Sequence, residues 1–400
     1  MYKSTINIVL NKINRFLFIA VLLELFMGGG GRITEFGFLT LRMILFFLMI
    51  AINIPVFLIS KKINKYVIEL MMIFTLYLIF YCTIGFFNNI SFAKIFEDIK
   101  PLTYFYSMLF FYNNINEWSD IKYIIKILKI SSLIMAVVYI FIYFIMNLGI
   151  VDFSTIYSAL SISDEFYFRG EHAFFYKGFF YLCIGFIFFV SENNVSSKYL
   201  SILIFIAIIL TFTRGFILSL IVSYIILELF FKKVSVKTLF ILVFNIFILV
   251  MIFSFFTTQE IGDKTVSDNI RLTTIRQVYE TTGFVSSFIG HGFGQGVAIR
   301  KIHMEISFLE IFHKQGLFGL FLWLYIFVLI VKFYNQTVKN KNNYYAKPLL
   351  ISSIFVYVVS FTNPFINNPI GMSMLIISMI GLNILGNERK NHDICLHPYL

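Results

Sequence analysis

A single arginine interrupts one of the longest apolar stretches of the sequence. Arg214 and Gly215 lie in "ILTFTRGFILSL", within residues 199–231, where the only other charged side chain is Glu228. An arginine at the centre of a bilayer costs up to about 3 kcal/mol, so we expect it to line a wet cavity or to bind an anion rather than to face lipid. The alternative is an anchor at a helix end, whose side chain reaches the interface.

Two further arginines occur in "VSDNIRLTTIRQVYETTG", residues 266–283, which the pattern predicts to be a helix. Arg271 lies near the predicted start, where its charge would add to the free N–H groups that favour an anion. Arg276 follows five residues later, about 140° around the helix, so both side chains cannot reach one ligand. The alternative for each is a solvated surface arginine.

Candidate proton acceptors stand in "HMEISFLEIFHKQGLFGLFLW", residues 303–323, which leads into an apolar run. In a helix, His303 begins a polar stripe, and Glu305 lies on a more apolar face. The other members of the stripe are Ser307, Glu310 and Lys314. Either His303 or Glu305 has the chemistry of a general base for a hydroxyl group. A plain amphipathic interfacial helix is the alternative.

Between these segments lies the glycine-rich stretch "FIGHGFGQG", residues 288–296. Such a turn lets the backbone approach a ligand closely. It is not a Walker A motif, since no GK[ST] follows, and no strand–turn–helix unit surrounds it as in a dinucleotide-binding fingerprint.

Composition assigns these residues to a membrane protein. The 400 residues are 59% hydrophobic and 13% charged, with a mean hydropathy of +0.86. Apolar runs of about 20 residues recur along the chain, which predicts an all-α, polytopic helical membrane protein rather than a barrel of short alternating strands. The 3 cysteines form no disulfide or metal-binding pattern.

We predict about twelve transmembrane helices within one integral membrane domain, residues 1–400. The spans are 15–28, 38–59, 66–87, 101–116, 128–148, 174–191, 199–213, 215–231, 238–256, 307–331, 348–363 and 370–386. The fourth is short enough to be a re-entrant segment instead.

The run from 199 to 231 must fold back on itself. As one helix it would reach roughly 50 Å at about 1.5 Å per residue, which exceeds a hydrocarbon core of about 30 Å. Arg214 and Gly215 are the predicted hinge, because glycine tolerates the turn. Each arm then reaches only roughly 23 Å, so Arg214 is expected below the outer headgroups.

The distribution of lysine and arginine predicts the orientation. With both termini in the cytoplasm, short cytoplasmic segments carry most of these residues, as the positive-inside rule requires. The net charge of +11 is therefore a signal of topology, and we expect no nucleic-acid partner. A large outer loop is predicted at 257–306, between spans nine and ten, and a smaller one at 149–173.

Four stretches occur in a recognisable order: "TFTRGFIL", "NIRLTTI", "GHGFG" and "HMEISFLEIFHKQGLFGL". Over roughly residues 160–335 this order resembles the superfamily of O-antigen polymerases (Wzy-type) and O-antigen ligases. The resemblance implies a GT-C-like bundle in the bacterial cytoplasmic (inner) membrane, with the large loop in the periplasm.

The resemblance also implies a metal-independent glycosyltransferase that needs no cofactor and uses an undecaprenyl-pyrophosphate-linked oligosaccharide as donor. By position, Arg214 and Arg271 would bind the pyrophosphate. The family histidine usually lies about 11 residues before the glycine of "GLFG"-like text, where this chain has Glu305. The base is therefore His303 or Glu305. Further candidates are His313 as a third base, and Arg169 and His172 of "FYFRGEHAFF" for glycan or phosphate.

The function that the resemblance implies is a polysaccharide (O-antigen) polymerase, which transfers the growing glycan onto a lipid-linked repeat unit at the periplasmic face. A ligase that transfers it to lipid A-core is the nearest alternative. A flippase for lipid-linked oligosaccharides is an alternative of another class, although it should have short outer loops and charges within its spans. The expected partners are the lipid bilayer, a chain-length regulator and a flippase.

Overall fold

The computed structural model describes residues 2–37, 39–59, 64–170, 172–231, 264–339 and 344–395, and most of them are helical. The helices are α1 (Tyr2–Met27), α2 (Leu41–Ile59), α3 (Lys65–Phe87), α4 (Phe92–Leu102), α5 (Ser107–Asn114), α6 (Trp118–Asn147), α7 (Phe153–Leu160), α8 (Phe179–Ser191), α9 (Val195–Leu210), α10 (Arg214–Phe231), α11 (Lys264–Thr281), α12 (Phe284–Ile289), α13 (Ser307–Lys339), α14 (Ala346–Val359) and α15 (Pro369–Cys395). The strands are β1 (Glu35–Phe36), β2 (Leu39–Thr40), β3 (Phe166–Arg169) and β4 (Ala173–Tyr176).

Among the described residues, 5 helices are long and apolar enough to cross a membrane. Four other apolar helices are shorter, in agreement with a helical membrane protein. The 5 long segments are Lys65–Phe87, Trp118–Asn147, Arg214–Phe231, Ser307–Val338 and Pro369–Asn387. The predicted span at 238–256 and the first residues of the predicted loop at 257–306 lie outside the described residues.

Two expectations about secondary structure were wrong. The chain is not purely α-helical, because β1 pairs with β2 and β3 with β4 in two antiparallel hairpins. The aromatic residues of β3 and β4 suit paired strands, and Gly170, with φ of +61°, turns the chain between them. The predicted span at 101–116 is also not one helix, since a 3₁₀ segment separates α4 from α5. There, Phe105 stacks on Phe74 of α3 with ring centroids 4.1 Å apart.

Helix α15 lies at the centre of the bundle. Of the apolar window within Pro369–Asn387, 89% is buried, and the helix packs against α13, α14 and α5. Small residues on α15 allow this close packing, as at Gly371, where an added Cβ would lie 2.3 Å from the carbonyl oxygen of Phe365. Hydrogen bonds also cross between helices, such as that from Thr337 Oγ1 to the carbonyl of Leu382 at 3.0 Å.

The chain folds back between α9 and α10, as the length of the apolar run predicts. The turn itself differs from the expectation, since the left-handed residue is Phe212, with φ of +50°, and Gly215 already lies in the first turn of α10. A Cβ on Gly215 would lie 3.1 Å from Oγ1 of Thr362 and 3.2 Å from Nδ2 of Asn363. The glycine therefore allows α10 to pack against the loop 360–368, which joins α14 to α15.

Helix α13 is kinked at Gly316, where φ is +62° and ψ is −162°. The kink frees backbone carbonyls, which must find partners inside a membrane protein. The glycine turn, residues 288–296, provides two hydrogen-bond donors for these carbonyls. The N–H of His291 donates to the carbonyl of His313 at 3.0 Å, and the N–H of Gly292 donates to the carbonyl of Lys314 at 2.8 Å. The turn thus approaches the backbone of α13 closely.

Candidate active site

Arg271 and Arg300 hold the carboxylate of Glu305 between them. Nε of Arg271, on α11, donates to Oε2 of Glu305 at 2.9 Å, and Nη2 of Arg300 contacts Oε1. Arg271 also reaches Asp268 on its own helix, at 3.3 Å. The side chains of Arg271 and Glu305 remain 37% and 33% exposed, so a ligand has access to them. We call Arg169, Arg214, Arg271, Arg300 and Glu305 the arginine group.

Arg169 and Arg214 add their charges to the same place. Burial lowers the pKa of Arg169, and the positive charges of Arg271 and Arg214 lower it further, while Glu305 opposes the shift. Arg169 therefore lies close enough to Arg214 and to Arg271 to be repelled by both. Nε of Arg169 is buried and has no hydrogen-bond partner among the described residues. Guanidinium groups outnumber carboxylates here, and such a surplus attracts an anion.

Packing between β4 and α10 places these arginines beside one another. The ring of Phe175, on β4, meets that of Phe216, on α10, with centroids 5.2 Å apart and an edge-to-face orientation. Phe216 follows Arg214 by two positions, and Arg169 pairs with Ala173 at the end of the β3–β4 hairpin. The aromatic contact thus brings the tip of the hairpin and the start of α10 to one end of the bundle.

The same β3–β4 hairpin is anchored to the loop that follows α1. The carboxylate of Glu165, which is fully buried, accepts the backbone N–H of Gly30 at 2.6 Å and that of Arg32 at 3.2 Å. A buried carboxylate needs such donors to offset its desolvation. The glycine-rich segment after α1 therefore fixes the base of the hairpin that carries Arg169.

A second group of charges surrounds His303. Nδ1 of its ring lies 3.5 Å from Oδ1 of Asp98 and 3.5 Å from Oε1 of Glu310, and Nε2 lies 3.8 Å from Oε2 of Glu97. Nζ of Lys314 donates to Asp98 at 2.7 Å, to Glu310 at 2.5 Å and to a backbone carbonyl, that of Ile302, at 2.6 Å. We call Asp98, His303, Glu310 and Lys314 the histidine cluster.

The two groups adjoin each other through the chain and through one loop. His303 and Glu305 are two positions apart, which limits their Cα separation to about 7.6 Å. The loop 360–368 packs on Gly215, as described above, and its Asn367 donates to Oε2 of Glu310 at 3.2 Å. An anion at the arginines and a hydroxyl group at His303 can therefore be neighbours.

The environment of His303 suits proton transfer. Its hydrogen bond to Glu310 raises the pKa of the imidazole above its ordinary value, and burial opposes the shift. The side chain is 52% exposed, whereas those of Asp98 and Glu310 are 5% exposed. Nδ1 thus faces buried carboxylates, while Nε2 faces the more open side. This arrangement fixes the hydrogen of the neutral ring on Nδ1 and leaves Nε2 to accept a proton.

Ligand atoms of Asp98, His303 and Glu310 lie within 4.8 Å of one another, which is the spacing of a cation site. The ammonium group of Lys314 already lies against both carboxylates. A lysine therefore balances the acidic charge that would attract a metal ion. Among the described residues, no other group of three or more histidine, cysteine or acidic side chains has this spacing.

The remaining candidates lie apart from these contacts. His172 is exposed at the end of the β3–β4 hairpin, where its backbone carbonyl accepts from Nδ2 of Asn147 at 3.0 Å. His313 is 1% exposed and packs against His291 of the glycine turn, with ring centroids 4.5 Å apart. This burial suits a structural role for His313.

Helix α13 begins at Ser307, where the predicted tenth span at 307–331 also begins, so His303 and Glu305 lie before the helix. Glu305 consequently does not lie on an apolar helix face, since the salt bridges to Arg271 and Arg300 draw it to them. The predicted helix over 266–283 begins earlier, at Lys264, so Arg271 lies beyond the free N–H groups of the first turn.

Sequence analysis missed Asp98 and Arg300 as members of the site. Asp98 lies on the amphipathic helix α4, and an acidic residue on such a helix is normally a solvated one. Arg300 follows the glycine turn and carries no distinguishing pattern. Both residues are recognised only from their contacts in the structure. Asp98 contacts His303 and Arg300 contacts Glu305, and the sequence does single out His303 and Glu305.

These features define a multi-pass helical membrane protein with a cationic site and a histidine–carboxylate cluster at one end of its bundle. No protein-family model matches the chain. Over 396 residues it is 28% identical to an O-antigen polymerase of Shigella flexneri, in an alignment that covers 96% of this chain and 99% of that protein. This similarity confirms the resemblance to O-antigen polymerases that the ordered motifs indicate.

Proposed function

We propose that the protein is an O-antigen polymerase. It transfers a growing glycan from undecaprenyl pyrophosphate onto the next lipid-linked repeat unit, at the periplasmic face of the inner membrane. The observation that carries this proposal is the similarity to a polymerase along nearly the whole chain. The proposal includes a single GT-C-like membrane domain of about twelve spans, with both termini in the cytoplasm and the loop 257–306 in the periplasm.

In this proposal the arginine group binds the pyrophosphate of the donor. The anomeric carbon leaves a pyrophosphate only if the developing negative charge is stabilised. Guanidinium groups bind phosphate oxygens through paired, charge-assisted hydrogen bonds. Arg214 and Arg271 both repel Arg169, so an anion between them would relieve that repulsion as well as form new bonds. These arginines supply the positive charge that a metal ion provides in other transferases.

His303 is the general base of the proposed reaction. Its Nε2 takes the proton of the acceptor hydroxyl as the new bond forms between that oxygen and the anomeric carbon. The bond from the same carbon to the pyrophosphate oxygen breaks, and the pyrophosphate leaves with the electron pair. Glu305 is less suited to this role, because two arginines hold its carboxylate. Both of its oxygens already accept from these guanidinium groups.

The test compares Arg214→Ala, Arg271→Ala and a matched control, Arg276→Ala, in the native host. Arg276 lies on the same helix as Arg271, but it is exposed and pairs only locally with Glu280 at 2.7 Å. Surface polysaccharide is resolved on a gel, and protein in the membrane is measured by immunoblot. We expect the long chains to collapse to a single repeat unit in the first two variants, with a normal ladder in the control.

Other outcomes distinguish the alternatives. Accumulation of unattached lipid-linked polymer would indicate a ligase. Accumulation of single lipid-linked units on the cytoplasmic side, resistant to an enzyme added outside the membrane, would indicate a flippase. A normal ladder in both site variants at normal protein level would contradict the proposed role of the arginine group.

A further inference from the structure

Asp98 occupies a central position that the proposed chemistry does not yet use. Its side chain is 5% exposed. Oδ1 faces Nζ of Lys314 at 2.7 Å and Nδ1 of His303 at 3.5 Å, while Oδ2 accepts the backbone N–H of Gly294 at 2.6 Å. Both oxygens thus have partners, and each partner belongs to a different part of the chain.

We propose that Asp98 is a positioning residue, which orients the imidazole of His303 so that Nε2 faces the acceptor hydroxyl. This inference rests on the proposed role of His303 as the general base. Asp98 does not touch the reacting atoms in the proposal. It acts on them only through the ring of His303.

Two carboxylates hold this ring, because His303 lies before α13 in an irregular segment and the helix itself does not position it. Nδ1 is equally distant, at 3.5 Å, from Asp98 and from Glu310. Glu310 extends from α13, whereas Asp98 extends from α4, so the ring is held from two helices. With Asp98 removed, Nδ1 would keep only its contact to Glu310 on α13, and Nε2 only the longer one to Glu97, at 3.8 Å, so the ring would be less firmly oriented.

Asp98 itself is fixed by the glycine turn. Gly294 donates to it from a backbone with φ of +82°, a conformation that favours glycine. The neighbouring N–H groups of the turn bind the carbonyls at the kink of α13, as described above. The kink, the turn and Asp98 therefore form one support behind His303, and the glycine-rich turn holds it in place through its backbone N–H groups.

The charges of the cluster suit a base that gains a proton during the reaction. The charged groups that face His303 are Glu97 and Asp98 from α4, and Glu310 and Lys314 from α13. With a neutral imidazole, the three buried groups leave one excess negative charge, and a protonated ring balances it. In Asp98→Asn, the charges of Glu310 and Lys314 cancel, so a neutral imidazole leaves no excess buried charge. This variant should therefore fold, and its imidazole should protonate less readily.

The experiment uses the full-length protein in lipid vesicles, with a lipid-linked repeat unit isolated from a host strain that cannot polymerise it. The rate is measured against pH for the wild type and for Asp98→Asn, Asp98→Glu, Glu97→Gln and His303→Gln. In Asp98→Asn we expect the acidic limb of the profile to move to lower pH and the plateau to fall by about tenfold or more, as expected when the carboxylate behind a catalytic imidazole is lost.

The other variants make the result specific. Asp98→Glu keeps the charge and should leave the acidic limb where the wild type has it. Glu97→Gln removes a more exposed carboxylate of the same helix, 3.8 Å from Nε2, and screening by water should make its shift of the acidic limb much smaller than that in Asp98→Asn. An equal shift in Glu97→Gln, or an unchanged profile and plateau in Asp98→Asn, would overturn the inference.

Failure of the inference and failure of the proposed base can be told apart. If His303→Gln is inactive while Asp98→Asn behaves as the wild type, only the role of Asp98 is wrong. If His303→Gln retains full activity, the base is wrong and the inference falls with it. Thermal unfolding of each purified variant separates a loss of rate from a loss of folded protein.

Discussion

Nε of Arg271 lies 2.9 Å from Oε2 of Glu305, in a hydrogen bond between residues 34 positions apart. It joins α11 to the segment that precedes α13. Because Arg300 contacts the other oxygen, Glu305 neutralises part of the arginine group in the absence of substrate. In the proposed reaction, the pyrophosphate of the donor would compete with this carboxylate for the same donors.

The first prediction separates the two candidate bases. Glu305→Gln keeps hydrogen-bonding capacity and removes the competing charge, so we expect polymerisation within about threefold of the wild type and no loss of the acidic limb. His303→Gln removes the proton acceptor, and general base catalysis typically contributes about 10²–10⁴-fold in rate. Initial rates with a purified lipid-linked repeat unit measure both. A loss of a hundredfold or more in Glu305→Gln alone would reverse the assignment.

The second prediction concerns the pH dependence of the wild type. The base acts in its neutral form, so activity is lost as pH falls through the pKa of His303. The hydrogen bond to Glu310 raises this pKa, and the acidic limb should therefore lie at higher pH than for an unperturbed histidine. The arginines keep their charge throughout this range. A rate that stays constant well below pH 6 would be inconsistent with a histidine base.

The third prediction tests the glycine turn. A Cβ on Gly292 would lie 2.3 Å from the backbone nitrogen of Gly85, and its φ of +86° disfavours other residues. We expect Gly292→Ala to lower the thermal unfolding temperature in detergent by several degrees, since the left-handed conformation alone costs about 1–2 kcal/mol. Gly283→Ala is the control, because its nearest neighbour would be an oxygen of Ser286 at 3.8 Å. Equal unfolding temperatures in the two variants would show that the backbone around Gly292 shifts to accommodate the added Cβ.

The fourth prediction concerns a buried ion pair near the start of the chain. Nε of Arg42 lies 2.9 Å from Oε2 of Glu24, and their side chains are 6% and 7% exposed. Removing one partner leaves an uncompensated buried charge, which typically costs about 3–5 kcal/mol. We therefore expect Glu24→Leu to unfold at a much lower temperature than the wild type, and the double variant with Arg42→Met to recover much of the loss.

The control for that pair is exposed. Arg32 contacts Asp164 at 3.0 Å with side chains that are 52% and 80% exposed, and such pairs contribute little. Arg32→Ala should change the unfolding temperature by less than Glu24→Leu does. Similar losses in both variants would mean that burial does not decide the contribution of these pairs.

The parts of the fold that follow from length and hydropathy could be predicted from the sequence. The hairpin of α9 and α10 is an example, because no single helix of that length fits a bilayer. The interruption between α4 and α5 could not, since it depends on how Phe105 packs against Phe74 in another helix. Short hairpins such as β3–β4 also give little signal when their residues are as apolar as the neighbouring helices.

The site was predicted only in part, for a related reason. Arg214, Arg271 and His303 stand out by their local surroundings, whereas the partners that give them their chemistry are distant in sequence. Asp98 and Lys314 are 216 positions apart, and no periodicity links them. His303 and Glu305 lie before the first residue of α13, so the two helix faces that a helical register would give them do not apply.

Three of the helices that end beside the arginine group are short: α8 has 13 residues, α9 has 16 and α14 has 14. Helices α9 and α14 each pack against α8. At 1.5 Å per residue the three helices reach only about 20–24 Å, less than a hydrocarbon thickness of about 30 Å. A bilayer adapts to such a hydrophobic mismatch by thinning. We therefore expect the lipid surface to dip towards the site, which in the proposed reaction would let a polyprenyl carrier present its pyrophosphate there without being lifted out of the membrane. Turnover should accordingly fall in vesicles of longer acyl chains.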